Sequence, residues 1–376
     1  MWEEQSDSKV LFRQAALIGT GLIGGSIGMA LREKGLVGKI IGFDRDGATC
    51  RKAVQRKAVD LAVESSAEAV QDADLVILAV PVISAVEVLR ELIPAISRGT
   101  IITDVGSTKS AIMAAVEQIL PAGSSFIGGH PMAGSEENGI ESADPALLEN
   151  AIYVLTPAPG TSEQAVGSLS VLIENIGAQP IVLDPLKHDR IVAMVSHLPH
   201  IVAASLVQSV AVTEDMELVR TLAAGGFRDS TRIALGNPEV WRDICISNRW
   251  ALLAALKSFK ASIDKLEKYL AGPNAEGIQE YLLQARDYRS SIPYRGRSIL
   301  PEIYTLVVLV RDTPGILARV TGILGNAGIN IDAIEIMHIR ELSGGSIRLG
   351  FKTRDQQQKA LQLLTEEGYY ISCPDD

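Results

Sequence analysis

From Gln14 to about Leu183 the chain alternates short β-branched or apolar runs with longer amphipathic stretches, which predicts strands and helices in turn. The runs are AALIG from Ala15, KIIGF from Lys39, DLVILAV from Asp74, TIITDV from Thr100, FIGG from Phe126, AIYVLT from Ala151 and PIVLD from Pro180. Several are apolar at every position, as strands covered on both faces must be. The expectation is an α/β chain with βαβ units around a parallel, doubly wound sheet. Between Pro185 and about Arg289 long apolar-periodic segments replace the strand-like runs, so a mainly helical second domain is expected. The stretch SSIPYRGRSILP mixes Pro, Gly, Ser and Arg and reads as a linker. Beyond it come a strand (YTLVVLV), a helix (GILARVTGILGNAG), two strands (INIDAIEIMHI and SIRLGFKT), a helix (DQQQKALQLLTEEG) and a short strand (YYIS), the order of a ferredoxin-like βαββαβ unit. The expected boundaries are residues 13–184, 185–289, 290–301 and 302–376.

The first strand and helix are joined by Gly19-Thr-Gly21-Leu22-Ile23-Gly24. In that context Gly19 permits a tight turn, Gly21 lets the backbone approach a pyrophosphate, and Gly24 lets the helix pack against the strand. The helix that follows turns its N-terminus toward the anion, and Leu22 and Ile23 within the turn join the glycines as expected cofactor-binding residues. The next strand ends in Asp44, 20 residues after Gly24, where a carboxylate can bond a ribose 2'-hydroxyl and repel a 2'-phosphate. A Rossmann-type site for NAD, in preference to NADP, is therefore expected, although Arg45 immediately after leaves a way to tolerate the phosphate.

Two clusters follow at the ends of later strands: Asp104-Val-Gly-Ser107-Thr-Lys109, and Gly129-His130-Pro131-Met-Ala-Gly134-Ser135-Glu136. Ligands collect at the carboxyl ends of strands in such sheets, so a histidine there can do acid or base work on a bound alcohol. A capping or core histidine is the bland alternative. A third cluster lies in the helical segment: His188-Asp189-Arg190, Ser196-His197-Leu-Pro-His200, and Gly225-Gly-Phe-Arg228-Asp229-Ser-Thr-Arg232. His197 and His200 alone make a poor zinc site, and no metal is expected. His188 with Asp189 can simply begin a helix, and Arg228 with Asp229 can form a structural ion pair.

Composition narrows the function. Of 376 residues, 47% are apolar and 21% charged, the balance of an ordinary folded protein. A formal net charge of −10 argues against nucleic acid or anionic membrane as partners, so an anionic substrate must meet a local positive cluster. Cys50, Cys245 and Cys373 are far apart and indicate no disulfide framework, as in a cytoplasmic protein. No uninterrupted apolar run reaches the roughly 18 residues of a membrane span, and no targeting signal stands at the polar N-terminus.

The segments GTGLIGGS, DVGSTK, GGHPMAGSE, HDRIVAMVSHLPH and GGFRDSTRIALGNPEVWRDI, in this order from about Leu17 to Ile244, closely resemble prephenate dehydrogenases of tyrosine biosynthesis, with arogenate dehydrogenases as neighbours. The resemblance implies oxidative decarboxylation of prephenate to 4-hydroxyphenylpyruvate with reduction of NAD, by a homodimer. It implies that His130 hydrogen-bonds the substrate hydroxyl, that Ser107 helps orient it, and that His200 and Arg232 contact the substrate carboxylates, with His197 and Ser135 as further substrate contacts. Arginine suits that work because its guanidinium stays charged and binds carboxylate through two hydrogen bonds. Arogenate as substrate, or a regulator that kept the fold and lost turnover, are the competing readings; the intact set of Ser107, His130, His200 and Arg232 speaks against the second.

The C-terminal unit carries Asp312-Thr-Pro314-Gly315 before its first helix and Asn326-Ala-Gly328-Ile-Asn330 after it. It resembles an ACT domain, an amino-acid-sensing module, which implies Asp312, Gly315 and Asn330 as regulatory-site residues and tyrosine as effector. A dimerisation element that binds nothing is the alternative.

Overall fold

A computed structural model describes residues 10–121, 123–134, 137–212, 215–292, 304–311, 313–338 and 344–372. Two compact units divide the chain between Gly296 and Arg297. Of the expected site residues, Ser135 and Asp312 lie outside the described residues, as does most of the expected linker.

The first unit is built on eight strands: β1 (Phe12–Ile18), β2 (Val37–Phe43), β3 (Leu61–Ala62), β4 (Leu75–Leu78), β5 (Ile101–Asp104), β6 (Ser125–Pro131), β7 (Ile152–Pro157) and β8 (Gln179–Val182). Their order across the sheet is β3-β2-β1-β4-β5-β6-β7-β8. The direction reverses once to the right of β1, so the loops after β1 and β4 flank a crevice at the carboxyl ends of the strands. Two apolar clusters cover the sheet, one holding Leu17, Ile27, Leu31, Ile77 and Leu155, the other Ile18, Val76, Leu89, Ile102 and Phe126. Leu17 and Ile18 fall in different clusters because successive side chains of a strand point to opposite faces.

The sheet is mixed, which corrects the expectation of a parallel one. β6 and β7 pair antiparallel, with His130 opposite Val154, while β7 and β8 are parallel. The physical reason is the connection. Among the described residues between β6 and β7 the one helical element is the short 3-10 helix Ile140–Ser142, and a parallel neighbour needs a crossover. Helix Glu163–Asn175 supplies that crossover between β7 and β8. The two-residue β3 also escapes the sequence pattern, being too short to show alternation.

Helices fill the remainder of the unit. Helices Pro185–Val192 and Leu198–Ala211 are joined without a break by a π-helical turn, Ala193–His197. The combined 27 residues are apolar and long enough to cross a membrane by length and composition alone. The same stretch holds His188, His197 and His200, all buried within the unit. Helices Pro238–Ser247, Arg249–Ala271 and Ala275–Ser291 complete it.

The second unit is a four-stranded antiparallel sheet of β9 (Tyr304–Arg311), β10 (Ala333–His338), β11 (Gly344–Phe351) and β12 (Tyr370–Ser372), ordered β10-β11-β9-β12, with helices Ile316–Asn326 and Arg354–Glu366. This is the expected βαββαβ arrangement. Leu306, Val308, Val320, Leu324, Leu349, Phe351 and Leu364 form its core.

Candidate active site

The glycine turn has the geometry of a phosphate cradle. Gly19 has a positive φ of 92°, and a Cβ there would collide with the Ala79 carbonyl; at Gly24 it would collide with the Gly19 carbonyl. Gly21 differs, since no described residue lies within 4 Å of where its Cβ would stand. That space, at the start of helix Leu22–Glu33, is bounded by backbone N–H groups with no side-chain cap and no acid in the first turn. An anion fits there on both steric and electrostatic grounds. The half-buried Asp44 carboxylate is fixed beside it, accepting from the Thr20 N–H at 2.8 Å and from the Asp46 N–H at 3.0 Å. The residues therefore fit a dinucleotide.

His130 stands on β6 itself, not in the loop after it, and is buried. Its Nδ1 lies 2.8 Å from His188 Nε2, and His188 Nδ1 lies 2.8 Å from Asp189 Oδ1. Asp189 is held in turn by the Lys109 N–H at 2.8 Å and the Ser110 N–H at 2.9 Å, the first amides of helix Ser110–Ile119. Burial alone would raise the Asp189 carboxyl, but the hydrogen bonds from His188 and Ser110 outweigh it and keep it below the ordinary range. Burial, followed by the nearby His188 and Lys109, pushes His130 well below the ordinary histidine value. It is therefore a neutral imidazole at pH 7.

Lys109 and Asp104 form an ion pair shut away from solvent. Asp104 also accepts from the Gly106 N–H at 2.8 Å and the Gly129 N–H at 3.1 Å, tying the loop after β5 to β6 beside His130. Ser107 is half-buried in that loop, at the same carboxyl edge as His130. The Thr108 hydroxyl donates to Ser247 Oγ at 3.0 Å, which fastens this loop to the helical part.

His197 Nδ1 is 3.1 Å from Asn248 Nδ2, and that amide also donates to the Asp189 carbonyl at 2.8 Å. Burial lowers His197 to about 4, so it too is neutral at pH 7. His200 stacks on Trp241 with ring centroids 3.5 Å apart, and its Nδ1 is buried without a hydrogen-bond partner among the described residues. Trp241 also meets His197 edge-on at 6.1 Å. Arg232 is exposed at the end of helix Gly225–Thr231, and the next turn packs against the helix that carries His200.

The structure thus brings together His130, His188, Asp189, Asn248 and His197 through consecutive hydrogen bonds. The sequence reading left His188 as a helix start and did not single out Trp241 or Asn248. Asp184 is the residue that caps that helix, accepting from the Lys187 N–H at 2.9 Å. The adjacency of His188 and Asp189 was visible, but their reach to a histidine 58 residues away was not. Among the described residues no group of three or more His, Cys, Asp or Glu could hold a metal ion.

Comparison with known proteins places the chain. Residues 27–182 match the family model for the prephenate dehydrogenase nucleotide-binding domain, 184–284 that for the prephenate dehydrogenase dimerization domain, and 304–360 that for the ACT domain. A prephenate dehydrogenase of Bacillus subtilis is 38% identical over 356 residues, covering 94% of this chain and 96% of its own. The crystal structure of prephenate dehydrogenase from A. aeolicus in complex with hydroxyphenyl propionate and NAD+ is 32% identical with a TM-score of 0.70, covering 75% of this chain and 98% of its own. Synechocystis arogenate dehydrogenase is 35% identical with a TM-score of 0.67, covering 74% of this chain and 100% of its own. The chain belongs to the prephenate dehydrogenase family of NAD-dependent oxidoreductases.

Proposed function

We propose that the chain oxidatively decarboxylates prephenate to 4-hydroxyphenylpyruvate, with His130 as the base. The observation that carries this reading is a neutral, buried imidazole whose one nitrogen is occupied by His188, on the edge of the sheet that also carries the nucleotide turn. Gly19, Gly21, Leu22, Ile23 and Gly24 would hold the NAD pyrophosphate, and Asp44 the adenosine ribose. Bound NAD supplies the acceptor for the hydride leaving the ring carbon that bears the hydroxyl. His130 takes the hydroxyl proton as that carbon becomes a carbonyl; loss of the ring carboxylate as carbon dioxide then restores aromaticity.

Neither His197 nor His200 is positively charged at pH 7, because burial lowers both. They act on a carboxylate as hydrogen-bond partners, and fixed charge has to come from Arg232. The buried Nδ1 of His200, without a partner among the described residues, supports a polar contact between this ring and substrate. The A. aeolicus relative supports the substrate class, since hydroxyphenyl propionate pairs a phenol with a carboxylate side chain. Ser107 and Ser135 complete the substrate contacts in this reading.

We place the enzyme in the cytoplasm as a homodimer. Val212, Leu235 and Trp250 are 82%, 76% and 70% exposed in the single chain, large apolar side chains within the segment that matches the dimerization domain. Tyrosine is the proposed effector, received by the ACT unit at Gly315 and Asn330, with Asp312. Gly315 has φ +87° at the start of helix Ile316–Asn326, and no described residue lies within 4 Å of its Cβ position. NADH absorbance with prephenate and with arogenate as separate substrates tests the substrate assignment. His130→Asn should reduce prephenate turnover about 100- to 10,000-fold while NAD affinity holds. Faster turnover of arogenate would move the substrate, and near-normal turnover by the variant would remove the base.

A further inference from the structure

We propose that His188 and Asp189 form a proton-holding chain behind His130: they fix His130 as the Nδ1–H tautomer, and His188 receives that proton when His130 takes one from substrate. The inference rests on His130 being the base and extends that reading to two residues that need not touch substrate.

The polarity of the chain follows from its far end. An ionised carboxylate can only accept, so the hydrogen between Asp189 Oδ1 and His188 Nδ1, 2.8 Å apart, sits on the histidine. A His188 ring that carries only this one hydrogen leaves its other nitrogen, Nε2, as an acceptor. The 2.8 Å contact to His130 Nδ1 therefore takes its hydrogen from His130. A neutral imidazole protonated on Nδ1 carries its lone pair on Nε2, the nitrogen that the chain leaves for substrate. Without this order His130 could carry its proton on Nε2 and could not act as a base. The ring planes support a directed contact, since His130 and His188 meet edge-on at 80°, with centroids 5.0 Å apart.

The same chain can relieve the charge. When His130 Nε2 takes the substrate proton, the Nδ1 proton crosses to His188 Nε2. His130 is again neutral, now protonated on Nε2, and His188 holds two protons with its cationic ring against the Asp189 carboxylate. One proton has entered and none is lost, and reversal after product leaves resets both rings. Asp189 is suited to the anchor role because the Lys109 and Ser110 amides and the Asn248 contact to its carbonyl immobilise it from separate elements. His188 and Asp189 are thus positioning residues. The Lys109 ammonium is already paired with Asp104 and does not compete for Asp189 through its side chain.

The test begins with 15N-histidine spectra of the full chain bound to NAD+, with signals assigned through His130→Asn and His188→Gln. The expected result is a protonated Nδ1 and an unprotonated Nε2 on His130. His188→Leu should abolish that preference and lower kcat at least 100-fold, with the Michaelis constant for prephenate and the NAD dissociation constant unchanged. His188→Gln, which can still accept from His130 Nδ1–H but cannot take the proton, should keep the tautomer and lower kcat about 10-fold. Asp189→Asn reverses the polarity, and wrong-tautomer changes of this kind in a related hydrogen-bonded arrangement cost about 10,000-fold. An Nε2-protonated His130 in the unmutated holoenzyme would overturn the inference, and that spectrum needs no variant to fold. So would a correctly folded His188→Leu with kcat within twofold of normal while His130→Asn is inactive. If His130→Asn itself turns over normally, the base assignment fails instead, so the two failures are distinguishable.

Discussion

The two units bury different kinds of residue. At the carboxyl edge of the large sheet, Asp104, Lys109, His130, His188, Asp189 and His197 are all buried, and each is held by a named partner. The C-terminal unit buries an apolar set around Leu306, Val308, Leu349 and Phe351, with Ser346 and Gln357 as the buried polar residues among those described. The difference matches the role proposed for each unit. Proton transfer requires groups whose charge state is controlled by removing water, and that control costs stability unless every group is paired. A sensing unit can receive a carboxylate through backbone amides at a helix start, and needs only a stable platform beneath them.

The largest expected effect comes from breaking a pair in the first unit. Lys109→Met would leave Asp104 charged and buried with only the Gly106 and Gly129 amides, so unfolding free energy should fall by about 3 to 5 kcal/mol. Denaturant unfolding measures it. Adding Asp104→Asn should recover most of the loss; if the single variant is as stable as the parent, the pair is not what secures this edge.

Acid should weaken the first unit selectively. His197 is lowered to about 4 in the fold, against an ordinary value of 6.5. Below pH 6.5 the unfolded chain binds a proton that the folded chain refuses, so stability is complete above that pH and is lost as pH falls toward 4. The shift corresponds to about 3 kcal/mol for this one group. His130 and His200, also lowered by burial, push the same way. His197→Gln should flatten the fall in unfolding midpoint between pH 7 and pH 4.5. An unchanged pH slope would mean that other groups carry the acid sensitivity.

The smallest effect probes the C-terminal unit. Couplings between a regulatory and a catalytic site are commonly about 1 to 3 kcal/mol. A tyrosine effect of that size should vanish when the chain is ended after residue 292 or when Gly315 becomes Val, because a side chain at φ +87° is strained and fills the space at the helix start. Tyrosine titrations at several prephenate concentrations separate this from competition at the active site. Purely competitive inhibition of equal strength in full-length and truncated protein would leave the C-terminal unit without a sensing role.

The α/β alternation, the glycine turn with Asp44 and the βαββαβ order of the C-terminal unit were legible along the chain alone. These are local properties: hydrophobic period and a conformation only glycine adopts. Tertiary structure decided the rest. Whether β7 runs parallel or antiparallel to β6 depends on how a 20-residue connection packs, and no residue within β7 records it. His188 next to Asp189 looks the same at a helix start whether or not a second histidine stands 2.8 Å away. The stacking of His200 on Trp241 joins residues 41 positions apart on different helices. Proton affinities follow the same rule, because burial and partners set them, and both exist only once distant segments have closed over one another.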